Sequence, residues 1–370
     1  MKSNYDIVIV GGGMVGAALA CTLGNSALKV ALLDRAPVAH PPDQGYDLRV
    51  SALTLAARAL FENLGAWDGM ARRRVAPVRE MQVWSGAGNG SIHFNAAEIG
   101  EPALAYIVEN SVIQLALIER LHQFTNVHHL CPVEVTDITL ADNGAVVTLK
   151  DGRSLSAKLL VGADGANSEV RRAAGIETQS LDLHQKGIVA TVTTEQPHAA
   201  TARQVFLTTG PLAFLPLDEP HTCSIVWSAD SARADQLLAL DDAAFILELQ
   251  KSFGDSLGLI QKISPRAAFP LALSHARAYT AAHLALVGDA AHTVHPLAGQ
   301  GVNLGFLDAA TLAEVLLDAT AKQKDIGAHE VLRRYERWRK GDNLAMVSIT
   351  GGFKYLFGND LPVVSQLRNW

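Results

Sequence analysis

Tyr5-Asp6-Ile7-Val8-Ile9-Val10-Gly11-Gly12-Gly13-Met14-Val15-Gly16-Ala17-Ala18-Leu19-Ala20-Cys21-Thr22-Leu23 stands near the start of the chain, and Lys29-Val30-Ala31-Leu32-Leu33-Asp34 follows it. Residues 5–10 are a short β-branched run of the kind that forms a buried parallel strand. Residues 11–16 read as a turn, 17–23 as a helix and 29–33 as the next strand, a βαβ unit of about 30 residues. Gly11-x-Gly13-x-x-Gly16 thus follows a strand and opens a helix, with Asp34 closing the second strand. Gly11 permits the tight turn, Gly13 lets the backbone approach a pyrophosphate, and Gly16 allows close helix–strand packing. The helix offers its unpaired N–H groups and positive dipole end to the phosphates. Asp34 would accept hydrogen bonds from a ribose 2′-hydroxyl, which disfavours a 2′-phosphate there. The pattern indicates dinucleotide binding and leaves NAD and FAD both open; the plainer alternative is a glycine-rich turn with no ligand.

The 370 residues allow about two domains, because single cores stop growing near ~250–300 residues. A chain 49% hydrophobic and 18% charged can bury a large core and is neither disordered nor a coiled coil. The net charge of −6 argues against a nucleic-acid partner, and aromatics at 6% offer no stacking platform for single strands. Cys21, Cys131 and Cys223 are scattered and without CxxC spacing, which speaks against a disulfide framework or zinc site and suits a reducing cytoplasm. Residues 7–23 carry no charge, yet Asp6 and the glycine triplet spoil a signal-peptide reading. No other segment offers ~18 uninterrupted apolar residues.

Farther along, residues 36–48 hold Pro37, Pro41, Pro42 and Gly45 and read as an excursion loop, and 50–64 read as helical. Short strand-like pieces follow at 81–84 and 92–94, then an amphipathic helix at 111–122. Residues 133–140 and 145–150 alternate as a hairpin around Asn143-Gly144. His128-His129 reads as a surface loop. Residues 187–270 are mostly alternating strands with one helical stretch at 242–253. A buried strand at 284–287 precedes a long helix from about 301, and the last forty residues read as helical and Arg-rich. Nucleotide-binding elements therefore recur at 1–75, 105–180 and 275–330, interrupted by β-rich segments at 76–104 and 181–274, with a helical segment at 331–370. The expected fold class is α/β (α+β), with a Rossmann-like domain intertwined with a β-sheet substrate domain.

Two further segments carry chemistry. Gly162-Ala163-Asp164-Gly165 follows the apolar residues 159–161 at a strand-to-helix turn, with Ser168 placed to cap the helix. Residues 284–287 lead into Gly288-Asp289, an acid at a strand end that can reach a ribityl hydroxyl. Then His295-Pro296-Leu297-Ala298-Gly299-Gln300-Gly301-Val302-Asn303-Leu304-Gly305 forms a glycine-lined loop running into a helix N-terminus that can face a flavin ring carbonyl. A core helix would not carry Pro296, Gly299, Gly301 and Gly305 so close together.

In this order, the Gly11 fingerprint, the Asp164 segment and the Asp289 segment resemble the class A flavin-dependent aromatic hydroxylases, whose fold is that of para-hydroxybenzoate hydroxylase. The run 295–305 with Asp308, together with Leu48-Arg49-Val50-Ser51-Ala52-Leu53 and Val108-Glu109-Asn110-Ser111, is similar to the ubiquinone-biosynthesis hydroxylases. The resemblance covers essentially the whole chain. It implies FAD as cofactor, with Gly11, Gly13, Val15, Gly16 and Asp34 on its ADP half, Arg49 on the pyrophosphate side and Asn110 by the ribityl region. It further implies Asp164 at FAD and pyridine nucleotide and Asp289 on the ribityl chain. Pro296 and the backbone of Gly299, Gln300, Gly301, Val302 and Asn303 would line the isoalloxazine. The implied activity is hydroxylation of a polyprenylated phenol through a C4a-hydroperoxyflavin, with O2 and an electron donor, NAD(P)H or a redox partner. Such chemistry needs no metal and no nucleophile, and no catalytic residue is singled out. Partners would include other ubiquinone-biosynthesis proteins. The expected location is the cytoplasm, with peripheral inner-membrane contact left open by the substrate's tail. The family also leads us to expect some tens of residues beyond Trp370.

Other readings compete. A different aromatic substrate is one, and an FAD-bound scaffold subunit another. An NAD(P)-dependent dehydrogenase would leave the Asp164 and Asp289 segments unexplained. A flavin halogenase would need a tryptophan-x-tryptophan motif that is absent. His292 and His295, three apart, read as structural or flavin-adjacent rather than as metal ligands. The Arg-rich residues 333–340 read as a solvated helix face. Phe206, Phe214, Leu215, Pro216 and Trp227 alternate as a sheet face, and core packing accounts for them.

Overall fold

The computed structural model of the chain describes residues 2–37, 40–42, 44–86, 88, 90–294 and 300–357. Its first sheet has eight strands. Five of them run parallel in the order Leu284–Leu286, Ser154–Gly162, Lys2–Val10, Val30–Leu33 and Val127–Leu130. Strand Thr280–Ala281 and the hairpin Val135–Ala141/Gly144–Leu149 extend it antiparallel. The parallel strands are apolar on both faces, as strands covered on both sides must be: Ile7, Val8, Ile9, Val30, Ala31 and Leu32 are fully buried. Helices Met14–Thr22, Asn110–Leu121 and Gln300–Ala321 pack together in the same core.

The second sheet has nine strands. Thr178–Thr194 is its longest, flanked by Ala267–Ala276 and Thr222–Asp230. Gly210–Pro216, Thr201–Leu207, Glu80–Ser85 and Ser91–Asn95 continue it to one edge. One face is sealed by helices Ser231–Ala239 and Asp242–Phe253, which bury Phe214, Trp227 and Phe245 between them and the strands. Those aromatics are core, while Leu215 faces the other way, towards Ala202 and Val78. A three-stranded sheet, Val50–Thr54, Ala105–Glu109 and Ala76–Val78, stands beside the two large sheets. The mixed α/β architecture matches the expected fold class.

Three local expectations are corrected. Residues 50–54 form a strand, because they alternate inward (Ser51, Leu53) and pair with 105–109; the helix begins only after Thr54, whose hydroxyl caps it at Ala57 N–H. Helix Ser231–Ala239 escapes a pattern reading because only Ala234 and Leu237 are buried in its nine residues. His128 and His129 belong to the strand Val127–Leu130, not to a loop. The parallel pairing with Val30–Leu33 recruits this short polar segment as a sheet edge.

Candidate functional site

The three glycine motifs lie at the carboxyl ends of three adjacent parallel strands. Gly11–Gly16 follows Lys2–Val10, Asp164 follows Ser154–Gly162, and Gly288-Asp289 follows Leu284–Leu286. Strand order reverses here, since the chain leaves Lys2–Val10 for a neighbour on one side and returns on the other. Open α/β sheets bind ligands at this crevice.

Contacts draw the motifs together. Ala163 N–H donates to Val10 O at 2.8 Å. Gly11, at φ +108°, lies so close to the Asp164 turn that a Cβ there would stand 2.3 Å from Ala163 O. Val15 fills the space that Gly288 and Gly305 leave empty: a Cβ would meet its Cγ2 at 3.2 Å and 2.6 Å respectively. Arg171, buried at 9% exposure, donates to Ala290 O at 2.8 Å and to Ala166 O at 2.7 Å, and so ties the second motif to the third. Gln114 donates to Gly12 O at 2.7 Å and holds the first turn from the helix beside it. Gln114 had no local sequence signal, and Arg171, though it stands just after the Asp164 motif, gave none of its link to Ala290.

The cradle suits a dinucleotide. Gly13 is exposed with open space where a Cβ would be, and it starts helix Met14–Thr22 with no side-chain cap and no acid in the first turn. The uncapped N–H groups are thereby left for an anion. Asp34 folds over the turn, so close that a Cβ on Gly12 would lie 2.4 Å from its Oδ2, and burial pushes its carboxyl up. Asp164 caps helix Glu169–Ala173 through Oδ2, at 2.7 Å from Glu169 N and 3.1 Å from Val170 N, while its Oδ1 is buried without a partner. Asp289 is exposed at the strand end, beside the buried Gly288 and Ala290. Burial raises its carboxyl, opposed by His292 and by Arg49, whose charge therefore reaches it.

Arg49 and Asn110 meet through Asn110 N–H donating to Arg49 O at 3.0 Å, and Ser51 Oγ donates to Asn110 Oδ1 at 2.7 Å. The Arg49 guanidinium lies 5.1 Å from the ring centroid of Phe269, which is 40% exposed, and so bridges to the nine-stranded sheet. Asn303 turns its side chain into the protein, donating to Ala52 O at 2.8 Å and accepting from Thr54 N at 3.1 Å; it fixes the start of helix Gln300–Ala321 against strand Val50–Thr54. Gly301 and Val302 are half-buried on the same first turn. Pro296, Gly299 and His295 lie outside the described residues.

A family model described as FAD binding domain matches residues 4–348. The chain belongs to that family. Its sequence is 39% identical over 363 residues to ubiquinone hydroxylase UbiL of Rhodospirillum rubrum, covering 98% of this chain and 84% of that protein. It is also 39% identical over 365 residues to the 3-demethoxyubiquinol 3-hydroxylase of Escherichia coli, covering 98% and 93%. In fold, the flavoprotein is similar to PqsL of Pseudomonas aeruginosa in complex with 2-aminobenzoylacetate, at TM-score 0.83 and 24% identity over 96% of this chain and 97% of that one. FAD is thus the dinucleotide of this family, and the NAD alternative falls away.

Proposed function

We propose that this protein is an FAD-dependent monooxygenase that hydroxylates the aromatic ring of a polyprenylated phenol in ubiquinone biosynthesis. O2 and electrons from NAD(P)H or a redox partner would be its co-substrates. The observation that carries this reading is similarity over 98% of this chain to two relatives named as ubiquinone-pathway hydroxylases, in a chain whose three glycine motifs meet at one end of the parallel sheet.

On this reading the eight-stranded sheet forms the FAD domain, and the nine-stranded sheet, most of whose strands come from 76–104 and 181–274, supplies the substrate floor. Gly11, Gly13, Val15, Gly16 and Asp34 hold the ADP half. Arg49 neutralises pyrophosphate charge, and Asn110, Asp164 and Asp289 accept or orient polar groups along the chain of the cofactor. The backbone of Gln300, Gly301, Val302 and Asn303 borders the ring. Bound FAD supplies the redox chemistry, delivering one oxygen atom of O2 to an electron-rich ring. The protein's part is to orient the ring and exclude water, and Phe269 beneath Arg49 is apolar surface placed for that purpose. No helix among the described residues is long and apolar enough to cross a membrane. An apolar prenyl tail is itself carried by a membrane surface or a lipid-carrying protein, from which the substrate would arrive.

The test is turnover of short-tailed polyprenylphenols under isotopically labelled O2. Ring-hydroxylated product bearing one labelled oxygen, with substrate-stimulated reoxidation of the flavin, is the expected result. Flavin that reoxidises at the same rate with and without every phenol offered, yielding only peroxide, would overturn the reading.

A further inference from the structure

We infer that Asp308 is a positioning residue for the Asp289 turn and that it couples this turn, through Arg339, to the C-terminal helix. The inference rests on the reading that Asp289 faces bound FAD.

Asp308 is fully buried on helix Gln300–Ala321, and every donor around it comes from another element. Its Oδ2 accepts from Gly288 N at 3.0 Å and from His292 Nε2 at 2.5 Å; its Oδ1 accepts from Arg339 Nε at 2.9 Å and Asn343 Nδ2 at 3.2 Å. Burial opposes ionisation of this carboxyl, but His292 and Arg339 outweigh it and hold it below its usual range. Gly288, at φ +60°, immediately precedes Asp289, so one carboxylate oxygen holds both ends of the short turn that aims Asp289. Among the described residues, Asp308 supplies the hydrogen-bond partner of the His292 ring, whose other nitrogen, Nδ1, is buried with none.

The opposite oxygen is gripped by helix His329–Phe357. Tyr335, Arg339 and Asn343 recur every four residues and so share one helix face. Tyr335 Oη donates to Leu286 O at 2.7 Å, Arg339 pairs with Asp308, and Asn343 accepts from Arg339 at 2.8 Å while donating to Asp308. Arg339 is 4% exposed and Asn343 fully buried, unlike the outward-facing Arg333 and Arg337 of the same helix. The reading of 333–340 as a solvated face is thereby corrected at Arg339. A strand end, the Asp289 turn and the C-terminal helix thus meet on one buried ion pair; Arg339 also pairs with the exposed Asp342 at 2.9 Å, and without Arg339 the buried Asp308 carboxyl keeps only His292, Gly288 and Asn343 as donors.

The experiment compares Arg339→Met, Arg339→Lys, Asp308→Asn and Asp289→Asn. For each, it measures FAD dissociation by fluorescence, flavin midpoint potential, and thermal midpoint with and without FAD. Arg339→Met is expected to weaken FAD binding ~10-fold or more, to shrink the FAD-induced rise in thermal midpoint and to move the potential, with Arg339→Lys restoring most of each. Asp308→Asn should do the same; if it does not fold, the two Arg339 variants decide. Arg339→Met that is less stable without FAD yet binds FAD with unchanged affinity and potential would overturn the inference. Asp289→Asn separates the two levels. If it weakens FAD binding while Arg339→Met does not, only the coupling fails; if Asp289→Asn also binds normally, the placement of FAD at Asp289 fails.

Discussion

Gly13 and Gly16 stand one helical turn apart in opposite surroundings. A Cβ at Gly13 meets nothing within 4 Å, whereas at Gly16 it would lie 2.0 Å from Gly11 O. Gly13→Ala should therefore fold normally and lose FAD affinity, and Gly16→Ala should destabilise even the FAD-free protein by about 1–3 kcal/mol, as overpacking does. Urea denaturation beside FAD titration checks both, and a Gly13→Ala protein with native affinity would remove that glycine from the pyrophosphate site. Asp289 predicts a pH effect with a definite sign. Its folded pKa is raised, so the stability linked to its protonation is present below the ordinary carboxylate value of ~3.9 and is lost as pH rises through the raised one. The same protonation removes an acceptor for cofactor hydroxyls. FAD affinity should thus fall on acidification at a pH above that ordinary value, and Asp289→Asn should flatten this limb of a Kd-versus-pH profile.

Among whole elements, Arg171 shows how helix Glu169–Ala173 is used as a staple. The guanidinium spans from Ala166 O to Ala290 O, two loops far apart in sequence. Arg171→Met should cost about 2 kcal/mol by loss of charged hydrogen bonds to two carbonyls, of which that of Ala290 is buried, read from the urea midpoint, and should weaken FAD binding as the third motif loosens. A variant with unchanged stability would show that the two loops hold their places without it. The strand Val50–Thr54 teaches a complementary point. A helix begins right after it, and only Thr54 as N-cap marks the change, so a window spanning 50–64 averages two periodicities into one.

Across the molecule, the three cysteines test how the core is distributed. Cys21 lies in the core of the eight-stranded sheet and Cys223 in that of the nine-stranded one, and burial pushes both thiols up to about 12. Cys131 is only half-buried. A thiol reagent should modify Cys131 in the native protein and all three after denaturation; rapid native labelling of Cys21 or Cys223 would mean that one of the cores opens readily. At this scale the limits of reading along the chain become physical. The βαβ opening, the three glycine motifs and the alternation of β-rich and nucleotide-binding segments are local in origin. Backbone freedom at Gly11, apolar runs at 7–10 and 30–33 and a helix start at Met14 depend on neighbours a few residues away, so the sequence by itself determined them. What only the tertiary structure decided is which distant partners meet: Val15 between Gly288 and Gly305, Arg171 on Ala290, and Arg339 on Asp308. A lone buried arginine in a run of exposed ones carries no local signal, because its burial arises from packing between helices more than thirty residues apart.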